Sequence, residues 1–385
     1  MRMTRPIALV AALAMALAAC GDGDVVEPDP DTDGEVDREG DDDLDEDDPD
    51  EPEDAPDDAT ADADPGDTVT LLTHDSFDVS EEVLAAFTDD TGIDVEVVPL
   101  GDAGTALNQT ILTADAPQGD LLFGVDNTFL SRALDEAIFT PYESPALDTV
   151  DPALILDDEH RVTPMDRGDV CLNYDVAFFE DADVDVPEEL DDLTDPAYEG
   201  LLGVTNPATS SPGLSFLLAT IETFGEDGYL DFWEQLVDND VIVTDGWSEV
   251  YYDEFSGTGD GDRPLVVSYA SSPPAEVLFA EEELDEAPTG VIEASCFRQI
   301  EFVGILEGAD NPAGAQLLVD FMLSETFQED IPLTMFVFPA NQQAQLPEVF
   351  EEFAVLPDDP LEIDHEVIGE HREEWIEAWT STVLR

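Results

Sequence analysis

From Thr68 the chain switches repeatedly between two hydrophobic periods, and that alternation limits the folds open to it. "TVTLLTHD" (68–75) is a β-rich run. "SEEVLAAFTDDTG" (80–92) spaces its apolar residues as a helix does, with Asp78 or Ser80 to cap it and Gly92 to end it. "IDVEVVPL" (93–100) predicts a second strand and 103–114 a second helix. "GDLLFGVD" (119–126) predicts a third strand, apolar on both faces. Strands separated by single helices imply parallel pairing and an α/β fold.

The middle of the chain continues the pattern. "SPGLSFLLATIETFG" (211–225) reads as a helix with Pro212 in its first turn and Gly225 past its end. "DGYLDFWEQLV" predicts another helix, and "DVIVT" (240–244) and "RPLVVSYA" (263–270) predict strands. "NPAGAQLLVDFMLSETFQ" (311–328) reads as one long helix. The closing "HREEWIEAWTSTVL" puts Trp375 and Trp379 four apart on one helical face, where they are read as core.

Charge excludes one class of partner. The chain carries 97 acids against 10 basic residues, all Arg, for a net charge of −87. With no basic surface to displace phosphate counterions, nucleic acid is not a natural partner. So much self-repulsion suits strong salt, where the Debye length shrinks to roughly 3 Å near 1 M. A halophilic or salt-tolerant source is expected.

The first residues read as an address. Arg2 and Arg5 precede the apolar run 7–19, which is too short to span a bilayer as a mature helix. It ends in Leu17-Ala18-Ala19-Cys20, which resembles the lipobox of bacterial lipoproteins. That resemblance implies a signal peptide over 1–19 and a lipid anchor on Cys20. Residues 20–66 lack aromatics and are crowded with acids, so they read as a disordered, self-repelling tether. Asp29 to Gly34 mimics the start of an EF-hand loop, but Gly40 stands where the bidentate Glu belongs. With Cys20 set aside, Cys171 and Cys296 remain as a pair. They form either a disulfide, which an exported compartment permits, or two buried thiols.

No phosphate loop, HExxH, CxxC or GxSxG stands in the sequence, and the four His do not cluster. No metal site, cofactor or enzymatic activity is therefore expected. What stands out is a series of polar turns at strand ends: "THDSF" (73–77), "LGDAGTAL" (100–107), "TSSPG" (209–213), "DGWSE" (245–249) and "SYASSP" (268–273). Ligands of open α/β sheets bind at such ends.

Three of these segments, "TSSPGLSFLL", "VTDGWSEVY" and "LVVSYASSP", resemble the thiamine-binding proteins of ABC importers, within the bilobed solute-binding class. "LLFGVDN" (121–127) and "REEWIEAW" (372–379) agree, and the resemblance runs from about Val69 to the C-terminus. It implies a two-lobed periplasmic-binding-protein-like fold of class II, each lobe a sheet flanked by helices and joined by crossover strands. Lobe 1 is placed at 67–165 plus 293–385 and lobe 2 at 166–292.

The ligand contacts implied are Asp102, Ala103, Ser210, Ser211, Trp247, Tyr269, Ala270, Ser271 and Ser272, with His74 and Tyr251 beside them. Trp247 and Tyr269 are expected to sandwich the thiazolium cation, and Asp102 to accept from the aminopyrimidine. His74 and Ala275 stand where the family has cage tyrosines, and Arg167 replaces a third Tyr. Arg167 is read as a hinge salt-bridge residue in preference to a phosphate ligand. Implied too are thiamine or its phosphates as ligand, an ABC permease and its ATPase as partners, and a monomer held on the outer face of the cell membrane or in the periplasm.

Two rivals remain open. A ferric-iron-binding protein of the same architecture would use Tyr251, Tyr252, His74 and an Asp as hard ligands. An exported hydrolase would need a Ser–His–Asp set that no local signature marks.

Overall fold

The computed structural model describes residues 65–258, 261–280 and 282–384, all within one compact unit. The signal peptide, Cys20 and the acidic tether up to Asp64 lie outside the described residues.

Ten strands form one sheet: β1 (Thr68–Thr73), β2 (Asp94–Pro99), β3 (Leu121–Asp126), β4 (Phe139–Thr140), β5 (Thr163–Asp175), β6 (Leu202–Thr205), β7 (Ile242–Thr244), β8 (Leu265–Tyr269), β9 (Thr289–Leu306) and β10 (Phe338–Pro339). Their order is β2-β1-β3-β9-β5-β8-β6-β7, with β10 on β5 and β4 on β9. Strands β1, β2 and β3 are parallel to one another, as are β6, β7 and β8. That is the α/β arrangement the alternation predicts, laid down twice.

Between the two parallel groups run β5 and β9, antiparallel to each other and 13 and 18 residues long. One end of β9, Glu301–Ile305, pairs with β3. The far end of β5, Val170–Tyr174, pairs with β8. Each long strand therefore serves one group directly, β9 the first and β5 the second, and their pairing with each other joins the two groups. Cys171 on β5 and Cys296 on β9 are joined by a disulfide, buried at 0 % exposure, so the pair is not two free thiols.

Local chemistry explains most element ends. The helix Glu81–Thr91 starts after extended Ser80 and stops at Gly92, whose φ of 78° is left-handed. The Ser80 side chain makes no cap bond of its own and instead donates to Asp330. The expected long helix over 311–328 is two helices, Pro312–Met322 and Glu325–Gln328. Ser324 breaks it: extended at φ −67° and ψ 155°, it accepts the Phe327 N–H and starts a new turn.

Trp375 and Trp379 are buried in the helix His365–Val383, as read. That helix, placed in lobe 1 by the sequence reading, packs on both groups. Trp379 meets Trp233 edge to face at 5.4 Å, while Arg372 lies over Phe129. No described helix is long and apolar enough to cross a membrane.

Candidate functional site

The turns after β1, β2, β7 and β8 converge on a cavity of about 430 Å³. Its aromatic wall comes from one unusual stretch. Gly246 sits extended after β7, a short helical turn carries Trp247, and residues 250–254 wind as a single π-helical turn. The wider turn places Tyr251 and Tyr252 nearly perpendicular to each other, at 84°. Tyr251 turns inward to 2 % exposure and stacks on the Trp247 indole at 4.9 Å and 17°. Tyr252 stays 58 % exposed and meets the indole edge-on.

The expected sandwich of Trp247 and Tyr269 does not form. Their rings meet at 6.1 Å with planes 63° apart, which leaves no slot between two parallel faces. The indole is instead backed by Tyr251, and its Nε1 donates to Ser268 Oγ at 3.0 Å. Ser268 and Ser272 share a hydrogen bond at 2.8 Å, so Ser272 steadies Trp247 from behind while also lining the cavity.

Asp102, expected to serve the ligand, is largely occupied by protein. Oδ1 accepts the Ala103 N–H at 2.7 Å and Oδ2 the Trp247 N–H at 2.9 Å. Burial raises its pKa, against the pull of the Trp247 N–H and of His74. Ala103 and Ser211 line the cavity beside it. Ser210, Ala270 and Ser271 do not reach the cavity wall: each is at 0 % exposure behind it, at the buried starts of the turns. Ala275 does line it, as does Phe279, four residues on, whose ring centroid lies 5.7 Å from that of Phe336.

The floor is acidic and was not foreseen. Glu301 on β9 lines the cavity and lies 3.3 Å from His74 Nε2. Gln299, two residues earlier on the same face, donates to Asp126 at 2.8 Å and to Ser211 at 2.9 Å. The signal was available in "CFRQIEF", where polar Gln299 and Glu301 alternate with apolar residues in an otherwise buried strand. Glu276 accepts from the Tyr251 hydroxyl at 3.1 Å. At the mouth, Asp75, Asp245, Glu249 and Asp253 surround an open vestibule that shares Asp102 with the cavity. No arginine is among the lining residues.

Arg167 is outside this cavity. Its guanidinium lies 5.7 Å over the Phe338 ring, and burial together with Arg298 lowers its pKa. The ion pair across the two long strands is Arg298–Asp169 at 2.6 Å, so Arg298 fills the role that the sequence reading gave to Arg167.

The sequence profile of the bacterial extracellular solute-binding proteins matches residues 117–356. The thiamine-binding periplasmic protein of Escherichia coli (strain K12) is 28% identical over 321 residues, covering 82% of this chain and 94% of the relative. That of Brucella suis biovar 1 (strain 1330) is 29% identical over 328 residues, covering 83% and 93%. A solved periplasmic thiamin binding protein superposes with a TM-score of 0.73 at 27% identity, over 83% of this chain and 96% of that one.

Proposed function

The chain belongs to the bacterial extracellular solute-binding proteins, and on that premise we propose that it captures thiamine between two lobes and delivers it to an ABC permease driven by its ATPase. The observation that carries the reading is the aromatic wall of Trp247, Tyr251 and Tyr269 set above the Glu301 carboxylate in one cavity. Thiamine's thiazolium is a permanent cation. An aromatic face attracts such a cation by about 2 kcal/mol or more once water is excluded. The uncovered face of Trp247 is its place in this reading, with the acidic vestibule concentrating cations at the entrance.

Free thiamine is preferred to its phosphates. Asp102, Glu276 and Glu301 line the cavity and no arginine does, so a phosphate would meet like charge with no guanidinium to pair with it. Lobes at 67–165 plus 293–385 and 166–292 place the cavity between them. Cys20 carries the lipid anchor, the tether over 20–66 holds a salt-adapted monomer off the membrane, and the location is extracytoplasmic.

A ferric centre is disfavoured on geometry. The Tyr251 hydroxyl is already bonded to Glu276 while Tyr252 stays 58 % exposed, and no three His, Cys, Asp or Glu among the described residues are grouped to hold a metal. Titration calorimetry in strong salt tests the function. Thiamine is expected to bind more tightly than its phosphates, and ferric ion to give no phenolate absorption band. Trp247→Ala should weaken thiamine at least tenfold with the fold intact; an unchanged dissociation constant removes Trp247 from the site.

A further inference from the structure

Both oxygens of Asp102 accept protein N–H groups, and Glu276 accepts the Tyr251 hydroxyl. Asp75 and Asp78 are exposed at the rim. Of the carboxylates lining the cavity, that leaves Glu301, 6 % exposed, as the acceptor at its floor. Opposite it in the antiparallel ladder stands Asp166, 0 % exposed, with neither oxygen meeting a hydrogen-bond donor. Desolvation and like charge both oppose ionising two such neighbours, so Asp166 holds a proton and Glu301 the charge. Burial first, then the charge of Glu301, raise the pKa of Asp166 well above the carboxylate range.

Beside Glu301 stands a donor. His74 Nδ1 accepts the Ser76 N–H at 3.2 Å. A backbone N–H can only donate, so this nitrogen is bare and the ring is the neutral tautomer with its proton on Nε2. Burial opposes a charged ring, while Glu301, Asp102 and Asp75 pull its pKa above the usual value. An imidazolium, however, would set a second N–H against that of Ser76, and the bond in place excludes it. The ring is also fixed in position: it packs on Phe123 at 5.5 Å, and a Cβ at Gly124 would collide with its Cδ2. Its Nε2 lies 3.3 Å from a Glu301 oxygen without the alignment of a hydrogen bond, and it is left without a partner. Both His74 and Glu301 line the cavity.

A neutral N–H donor and a carboxylate acceptor side by side match the edge of an aminopyrimidine, where a ring nitrogen accepts and the adjacent amine donates. We propose that His74 and Glu301 read that edge of the ligand: Nε2–H donates to the ring nitrogen, and Glu301 accepts from the amine. The inference rests on the thiamine reading and deepens it. The thiazolium keeps the face of Trp247, and the second ring of the ligand is recognised at the floor. Glu301 thus takes the acceptor role that the family resemblance gives to Asp102. An aromatic face attracts any organic cation, whereas this pair discriminates. A ligand with the wrong edge leaves a buried donor and a buried carboxylate unpaired, and a site built on hydrogen bonds rejects it strongly for that reason.

Thiamine and oxythiamine share the thiazolium and differ at this edge alone: in oxythiamine a carbonyl replaces the amine, and the ring nitrogen beside it carries hydrogen. Calorimetry in strong salt should show oxythiamine binding about a hundredfold or more weakly than thiamine. His74→Phe keeps a ring and drops the donor, so it should weaken thiamine by about tenfold and shrink the ratio between the two ligands. His74→Gln, which keeps an N–H, should retain more of both. Because either variant can fail to fold, the His74 ring is also followed by nitrogen NMR in the unmodified protein. At neutral pH it should be the neutral tautomer protonated on Nε2, and the Nε2 resonance should shift when thiamine is added. Equal affinity for the two ligands, or an imidazolium in the spectrum, overturns the recognition of the edge while leaving thiamine as ligand. No heat with either ligand overturns the thiamine reading and this inference with it.

Discussion

Asp102 and Trp247 are clasped across the cleft: the Asp102 carboxylate accepts the backbone N–H of Trp247 at 2.9 Å, 145 residues away in sequence. The same carboxylate takes the N–H of Ala103 at 2.7 Å and, more loosely, that of Ser211 at 3.4 Å. One side chain thus ties the helix Ala103–Leu112, beside β1–β3, to two segments of the β6–β8 group. Removing it leaves buried N–H groups without acceptors, at about 1–3 kcal/mol each. Asp102→Ala should therefore weaken ligand binding by about ten- to a hundredfold, and Asp102→Asn, which keeps one acceptor oxygen, by less. Equal affinities for parent and Ala variant, measured by calorimetry, would show that the clasp is absent from the ligand-bound form.

Gly104 is the second residue of the same helix, packed against Thr209 of the β6–β8 group. A Cβ there would lie 2.8 Å from the Thr209 carbonyl oxygen and 3.0 Å from Phe129 Cζ. The first of these is backbone and cannot swing away. Gly104→Ala should hold the groups apart, lowering affinity at least tenfold while leaving thermal stability within about 1 kcal/mol of the parent. Small-angle scattering should show a larger radius of gyration in the presence of ligand than the parent has. Parent-like closure would place the groups' approach elsewhere.

The α/β class, the strand-end position of the site and the importance of Trp247 are legible in the sequence because each rests on local signals. Hydrophobic period marks the elements, and Gly246 marks the turn that turns the indole toward the cavity. The break at Ser324 is also local, yet the apolar spacing on both sides of it hides the cap. The carboxylate floor is different in kind. Asp126, Asp166 and Glu301 lie on three strands and become neighbours only through the register of β3, β9 and β5. In a chain with 97 acids, nothing in composition separates these three from the solvated rest. The exchange of roles between Arg167 and Arg298 has the same origin, since only the register decides what each arginine faces: Arg167 lies opposite Ile300, and Arg298 opposite Asp169.

The disulfide makes a prediction about stability apart from function. Cys171 and Cys296 are 125 residues apart and fasten the two crossover strands. Closing so long a loop restricts the unfolded chain, and such bridges contribute about 2–4 kcal/mol. Cys171→Ala with Cys296→Ala should lower the free energy of urea unfolding by that amount in strong salt. The same loss is expected in the parent on adding reductant once the bridge is accessible. A double variant as stable as the parent would mean that strain in the folded state cancels the loop effect.

Asp126 gives a pH dependence whose sign can be worked out. Its Oδ1 accepts from the Thr128 N–H and hydroxyl and from the Phe129 N–H, and its Oδ2 from Gln299. These bonds favour the charged form, yet burial outweighs them and raises the pKa from 3.8 to about 6. Between those two values the folded protein binds more protons here than the unfolded chain does. The contribution to stability is therefore full below 3.8, is lost as pH rises through about 6, and is constant above. Its size is at most about 3 kcal/mol, from roughly 1.4 kcal/mol per pKa unit. Asp126→Asn removes the charge and keeps the shape, and Gln299, whose Oε1 has no partner, can turn its amide to accept the new N–H. At fixed salt the stability of the variant relative to the parent should therefore climb between pH about 4 and about 7 and then level off. A difference that stays flat across that window would mean Asp126 is ionised in the folded protein, with its four donors outweighing burial.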